Sequence, residues 1–458
     1  MRIENSMNGP QSPKQASSLL WPLLFQVALC VMPSMLLLGL GNYSLAAATF
    51  YCFFGLLLVR ALIRQNAPET TCLIVACLPA LMLLRDFFYY SSVEVLLGLA
   101  VGIWALHARE DFNWLFSSRV VQGLVAFAVV YWLISFARTG DYSENLRVFE
   151  LAFSAMSIRV LSRYRTYLAT AFAGIAISGF SIGLALAGQG DRLGMVRNED
   201  MRLGNPVTFG LPMALIVLLC LAEGGRWMKL ELSPFRRTCV AVVAGVFLLF
   251  STSRGSWSVA AACILTMLLF APRRTEIFRF LLVGAVGVSI WAHFADTSTL
   301  EKYIYKTFYS EEEWSDVNAR VAQWNSFPAA FADSPLVGFG PGSGKGISLR
   351  YSGHNLIWHS LYLHMGIECG AIGLVLLTIF IASILGNCFQ HLRRYGEVGP
   401  LLGVVGFMTI AVSIPAIDGV AGLFLGMGLA GGSASRYRII QTVYTRTASP
   451  AMARAVRK

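Results

Sequence analysis

The sequence predicts an all-α protein, a polytopic membrane helix bundle of about 12–14 transmembrane helices with one large, partly helical external loop. Three observations lead there. Of the 458 residues, 56% are hydrophobic and 13% are charged. The apolar residues come in blocks of about 16–22, the length a helix needs to cross a bilayer. Short basic loops separate the blocks, and nearly all Lys and Arg clusters fall on alternate turns, as the positive-inside rule requires.

Taken in order, residues 1–18 are polar and weakly basic and read as a cytoplasmic tail, with no cleavage site before Leu19. Residues 19–295 hold apolar blocks at 19–40, 44–60, 70–84, 91–107, 119–137, 147–162, 166–187, 206–222, 238–251, 256–271 and 279–295. Residues 296–358 form the long polar loop, 359–435 carry the last apolar blocks, and 436–458 form a basic cytoplasmic tail. With a cytoplasmic N-terminus, the clusters at Arg60–Arg64, Arg226–Arg237, Arg273–Arg279 and Arg393–Arg394 all lie inside. Within the loop, Val317, Val321 and Trp324 have helical spacing, while Pro335–Gly353 is glycine-rich and reads as irregular.

The net charge of +11 follows from this topology and does not point to nucleic acid. Most of the nine cysteines lie inside apolar blocks, and the long loop has none. That leaves neither a disulfide framework nor a zinc site.

Some cations break the topology rule. Arg192, Arg197 and Arg202 crowd the short external loop Gly188–Asn205, Arg254 sits in the turn Ser251–Gly255, and Arg320 lies in the long loop. Headgroup snorkelling accounts for a single Arg at a helix end. Arg254, in a tight turn opposite a loop cation such as Arg320, has the fork geometry to grip a diphosphate. His359 opens the block after the loop, with Ser360 and Tyr362 beside it and Gly366, Gly370 and Gly373 forming a smooth helical stripe for a close neighbour. Glu368, one turn beyond His364, is placed to pair with it, and Glu94 and Arg159 read as structural pairs. Gly338–Gly346 departs from the phosphate-binding P-loop at Phe339 and Gly346, and reads as a loop lending backbone N–H groups to an anion.

Three stretches together resemble the O-antigen ligase and polymerase superfamily of bacterial membrane glycosyltransferases. His359-Ser360, nine residues, then Gly370-Ala371-Ile372-Gly373 is similar to that family's H-[NSQ]-x9-G-x-x-G pattern. Ser253-Arg254-Gly255-Ser256-Trp257 resembles its S-R-G-x-W turn. Arg320 to Trp324, followed by Pro335 to Gly340, resembles its R-x-x-x-W and P-L-x-G-x-G loop, and Asn205-Pro206 resembles its N-P-N, with Val207 in place of the second Asn.

The resemblance implies glycan transfer at the periplasmic face of the bacterial inner membrane, with no cofactor and no metal. The donor would be a glycan on undecaprenyl diphosphate, and the acceptor lipid A-core or a second lipid-linked glycan. It implies His359 as the catalytic residue and Arg254 and Arg320 as the diphosphate-binding pair. Arg197, Arg202, His354 and Tyr362 are candidates for lining the substrate path. The histidine motif favours ligation onto lipid A-core. Polymerisation of lipid-linked repeats is the alternative within the superfamily, and a transporter of polysaccharide or lipid is the alternative outside it.

Overall fold

The computed structural model describes residues 13–84, 92–139, 146–186, 196–198, 201–203, 206–222, 233–251, 253–271, 274–294, 311–413 and 419–431. Its helices are α1 (Pro13–Gly39), α2 (Tyr43–Ile63), α3 (Ala67–Ala76), α4 (Leu78–Leu83), α5 (Ser92–His107), α6 (Arg109–Phe116), α7 (Arg119–Thr139), α8 (Arg147–Leu161) and α9 (Arg165–Leu186). After a short hairpin come α10 (Pro206–Leu221), α11 (Pro234–Phe250), α12 (Arg254–Phe270), α13 (Arg274–Phe294), α14 (Glu311–Asp333), α15 (Gly344–Ser352), α16 (Leu361–Tyr395) and α17 (Gly399–Ser413). A last apolar helix, α18, spans Gly419–Gly431.

The chain is an all-α, multi-pass membrane protein. Five described helices, within α1, α2, α7, α9 and α16, are long and apolar enough to cross a bilayer, and seven shorter apolar helices accompany them. Burial sorts the bundle into layers. From Phe209 to Leu221, α10 is buried on every side, and so is α18 from Gly419 to Gly431. The outer helices instead expose large apolar side chains, such as Trp21, Phe25 and Leu36 on α1, Leu133 on α7, and Val375, Leu376 and Ile379 on α16. Faces of that size and composition belong against lipid.

Small residues let the inner helices approach. A Cβ on Gly426 would lie 2.7 Å from the Ile158 side chain, and one on Gly422 would lie 2.6 Å from that of Ser154, so α18 presses directly on α8. The apolar block at 70–84 is broken between α3 and α4 at Cys77, with Pro79 in the first turn of the second piece. The Ser178 hydroxyl on α9 donates to Ala76 O at 2.9 Å beside the break, so the interruption leaves that carbonyl partnered in an apolar interior. Arg159 has the structural role its position implied: its guanidinium donates to Leu429 O at 3.0 Å and lies over the Trp114 ring.

The structure adds or corrects three things. The basic loop after α5 contains α6, whose Asp111 accepts bonds from Arg163 and from the Tyr164 hydroxyl. The loop before α10 contains a two-stranded antiparallel hairpin, β1 (Val196–Asn198) and β2 (Met201–Leu203). In the long loop, the face marked by Val321 and Trp324 is outward, with these residues 50% and 47% exposed. The inward face of α14 is Ala319, Gln323 and Ala330 instead, and the segment expected to be irregular after Pro335 contains α15.

The glycine stripe after His359 also has a different use. α16 is interrupted at Gly370, where φ is 63° and ψ is −159°. The loop closes the interruption with its own backbone. Phe339 N–H donates to Ile367 O and Gly340 N–H to Glu368 O, both at 2.8 Å. Ala371 N–H and Ile372 N–H donate to Pro335 O and Leu336 O at 2.8 and 3.2 Å. Gly338, with φ 67°, passes so close that its own Cβ would lie 2.5 Å from the Glu368 carbonyl carbon. The stretch after the break, 371–395, is about 37 Å long at 1.5 Å per residue, enough to cross about 30 Å of hydrocarbon unaided. The head of α16, Leu361–Cys369, therefore joins loop and bundle: Leu363 and Ile367 pack in the loop core, Leu361 and Met365 in the main one.

Candidate functional site

The turn carrying Arg254 is fixed by its own side chains. Ser253 caps α12, accepting Ser256 N–H at 3.4 Å and sharing a 2.9 Å hydroxyl contact with Ser256. Trp257 reaches back from α12 to donate to Leu248 O at 2.8 Å, locking the turn to α11. Arg254, half-buried, is the first residue of α12, where the helix dipole is positive and backbone N–H groups point outward. Gly255 packs closely on the end of α17, where a Cβ would sit 3.2 Å from Ser413 Oγ.

That end of α17 is also where the histidine motif attaches. Ser360, fully buried, donates its hydroxyl to Ala411 O at 3.2 Å. The α12 turn and the residue after His359 thus dock on the same terminal turn of α17. α10 joins them, since a Cβ on Gly210 would lie 2.6 Å from Ser256 Oγ and 2.9 Å from Ser251 Oγ. β2 ends three residues before α10, so the hairpin enters this end of the bundle. Its register sets Arg197 directly opposite Arg202. Their side chains, like Arg192 as a whole, lie outside the described structure.

The long loop brings the third motif. Arg320 on α14 is half-buried, and its Nε is buried without a hydrogen-bond partner among the described residues. Gln323 follows one turn later, and its Oε1 accepts the His359 backbone N–H at 3.0 Å. Its Nε2 donates to Ser348 Oγ at 2.9 Å and to Ile357 O at 3.2 Å. His359, half-buried, is therefore held on one side by α14 and, through Ser360, on the other by α17. The fully buried Trp358 anchors the same segment in a small core with Ala330, Leu363 and Ile367, its ring edge-on to Phe327. Among the substrate-path candidates, His354 is half-buried and its carbonyl accepts the Ser348 hydroxyl at 2.9 Å. Tyr362 is half-buried in the first turn of α16.

Beneath this site lies a polar network the sequence only half revealed. Glu368 and His364 pair at i, i+4, 3.4 Å apart. Tyr131 of α7 joins them, donating to Glu368 Oε2 at 2.6 Å and touching His364 Nε2 at 3.0 Å. The phenol has one proton, assigned to the shorter contact, so His364 Nε2 acts as the donor to the Tyr131 oxygen. Glu368 Oε1 accepts Gly344 N–H at 2.9 Å. The glycine-rich loop thus turns its Gly344 N–H toward the protein's own Glu368 carboxyl group. A buried tyrosine in an apolar span gives no periodic signal, and Gln323 sits in a helix whose obvious apolar residues face outward, so neither was visible beforehand.

Comparison with known proteins bears on this end of the chain. Residues 239–378 match the family described as O-antigen ligase. The match runs from α11 into α16 and contains the Arg254 turn, the Arg320 helix, the Pro335–Gly340 lacing segment and the His359 motif. No curated protein matches the chain significantly. Over residues 239–378, about a third of its length, this multi-pass membrane protein is thus similar to the O-antigen ligase family, which supports its membership of that superfamily.

Proposed function

We propose that the protein transfers a glycan from undecaprenyl diphosphate to a sugar hydroxyl of lipid A-core at the periplasmic face of the inner membrane. The observation that carries this is the docking of the Arg254 turn and the His359 segment on one terminal turn of α17, with Arg320 delivered to the same segment by α14. The helix that follows the His359 motif exposes Ile372, Val375 and Leu376, which suits a donor whose polyprenyl tail stays in the bilayer.

The chemistry follows from the groups. A sugar hydroxyl is a weak nucleophile. The neutral His359 imidazole takes its proton as the oxygen bonds to the anomeric carbon. The bond from that carbon to the diphosphate oxygen breaks, and undecaprenyl diphosphate leaves with the electron pair. Arg254 and Arg320 hold the charge that develops on the diphosphate, assisted by the N-terminus of α12. Direct displacement inverts the anomeric carbon, and a product with retained configuration would rule it out.

A transporter would use broken helices whose free ends line a substrate path. Here the break in α16 is sealed by the loop, and the break before α4 has Ser178 beside it. The direct experiment is gene deletion with inspection of surface polysaccharide. Complete polymer accumulating on its lipid carrier, absent from the core, supports ligation. Single repeats on the core would instead establish polymerase activity. In the same cells, His359→Ala should insert normally and restore nothing, whereas restored transfer would remove His359 from the mechanism.

A further inference from the structure

We infer that Gln323 is the positioning residue for His359, an inference that rests on the proposed role of His359 as the base. Gln323 is fully buried, yet its amide is fully employed. The oxygen accepts His359 N–H, and the nitrogen donates to Ser348 Oγ and Ile357 O, with a longer contact to Leu356 O at 3.5 Å. One side chain thus grips the backbone at 356, 357 and 359, along the whole approach to the imidazole.

Ser348 completes the clamp. Also fully buried, it accepts from Gln323 and donates to His354 O at 2.9 Å, tying the start of the same segment to α15. The segment 354–360 has no helical or strand hydrogen-bond ladder of its own. Its geometry is set by this amide, this hydroxyl, the buried Trp358 and the Ser360 contact with α17. A buried amide is costly unless every polar atom is satisfied. Its presence here buries no extra apolar surface, and what it supplies is a fixed backbone at the residue before the Ser360 anchor. Because Arg320 stands one turn away on the same rigid helix, Gln323 also sets the separation between the imidazole and one diphosphate-binding group. Errors of about 1 Å in such separations cost on the order of 100-fold in rate.

The test is Gln323→Met, which keeps length and apolar volume but removes every bond. Purified in detergent, the variant would be assayed with a lipid-linked O-antigen repeat and lipid A-core, and undecaprenyl diphosphate binding would be measured separately. The expected result is a fall in kcat of about 30- to 100-fold, with KM for the donor and binding of undecaprenyl diphosphate unchanged within about threefold. A parallel loss of binding would show that Gln323 shapes the whole site, and unchanged kcat would show that His359 needs no such clamp. Either result overturns the inference. His359→Ala runs alongside. If it retains full activity, the base assignment fails independently of Gln323. If it is dead while Gln323→Met is unimpaired, only the positioning role fails. Should Gln323→Met not insert stably, Ser348→Ala carries the same test, with an expected loss of several-fold in kcat at unchanged binding and the same two refuting outcomes.

Discussion

Replacing Gly370 by alanine should detach the long loop from the bundle. The backbone there, at φ 63° and ψ −159°, lies in a region open essentially only to glycine, and another residue pays about 1–3 kcal/mol to occupy it. The new Cβ would also sit 2.5 Å from both the carbon and the oxygen of the Leu336 carbonyl and 2.6 Å from Gly338 N. These are backbone atoms and cannot rotate aside. Relief requires withdrawing the Pro335–Gly340 segment, which exchanges its hydrogen bonds with Ile367, Glu368, Ala371 and Ile372. At about 1 kcal/mol net for each of the four bonds lost, withdrawal and strain together cost roughly 5–7 kcal/mol. That is enough to undock a loop while the apolar helices remain in the membrane. Limited proteolysis in detergent should show cleavage between 335 and 353 in Gly370→Ala but not in wild type, with transfer abolished. Gly386→Ala, in the same helix with nothing within 4 Å of its Cβ position, should be neutral or gain about 1 kcal/mol. Wild-type protease resistance and activity in Gly370→Ala would refute the reasoning.

Tyr131→Phe removes a donor from the buried Glu368 and the acceptor of His364, and should destabilise by about 1.5–3 kcal/mol in detergent unfolding. An unchanged unfolding midpoint would show that the network adds nothing. Gly426→Val forces α18 away from α8, where a Cβ already lies 2.8 Å from Ala155 O, and should abolish monodisperse protein on gel filtration. Arg254→Lys keeps the charge but loses the fork, and should fail to restore surface polysaccharide in deleted cells, while insertion persists. Full restoration by lysine would show that point charge is sufficient there.

The spans were legible because a bilayer demands long apolar runs, and nothing else in a chain produces them so regularly. The Arg254 turn was legible because Ser253 caps the helix it opens and Trp257 reaches only nine residues back, so both partners lie in the same short stretch of sequence. Gln323 and Gly370 were not, because their roles depend on backbone far away in sequence. The α14 face packs partly on loop carbonyls instead of apolar side chains, so hydrophobic spacing pointed to Val321 and Trp324, which are exposed. Gly370 fits a small-residue stripe equally well as a seam between helices or as a break. Only the donors and acceptors of Pro335–Gly340 decide that it is a break. The hairpin at 196–203 escaped notice because three-residue strands are too short for alternation to register.

The most direct measurement is an experimental structure with undecaprenyl diphosphate bound. The expected result is a diphosphate held by the guanidiniums of both Arg254 and Arg320, its terminal phosphate facing the imidazole of His359. A diphosphate seated away from either arginine, or an imidazole turned from it behind Trp358, would contradict the proposed convergence of these three side chains on the donor.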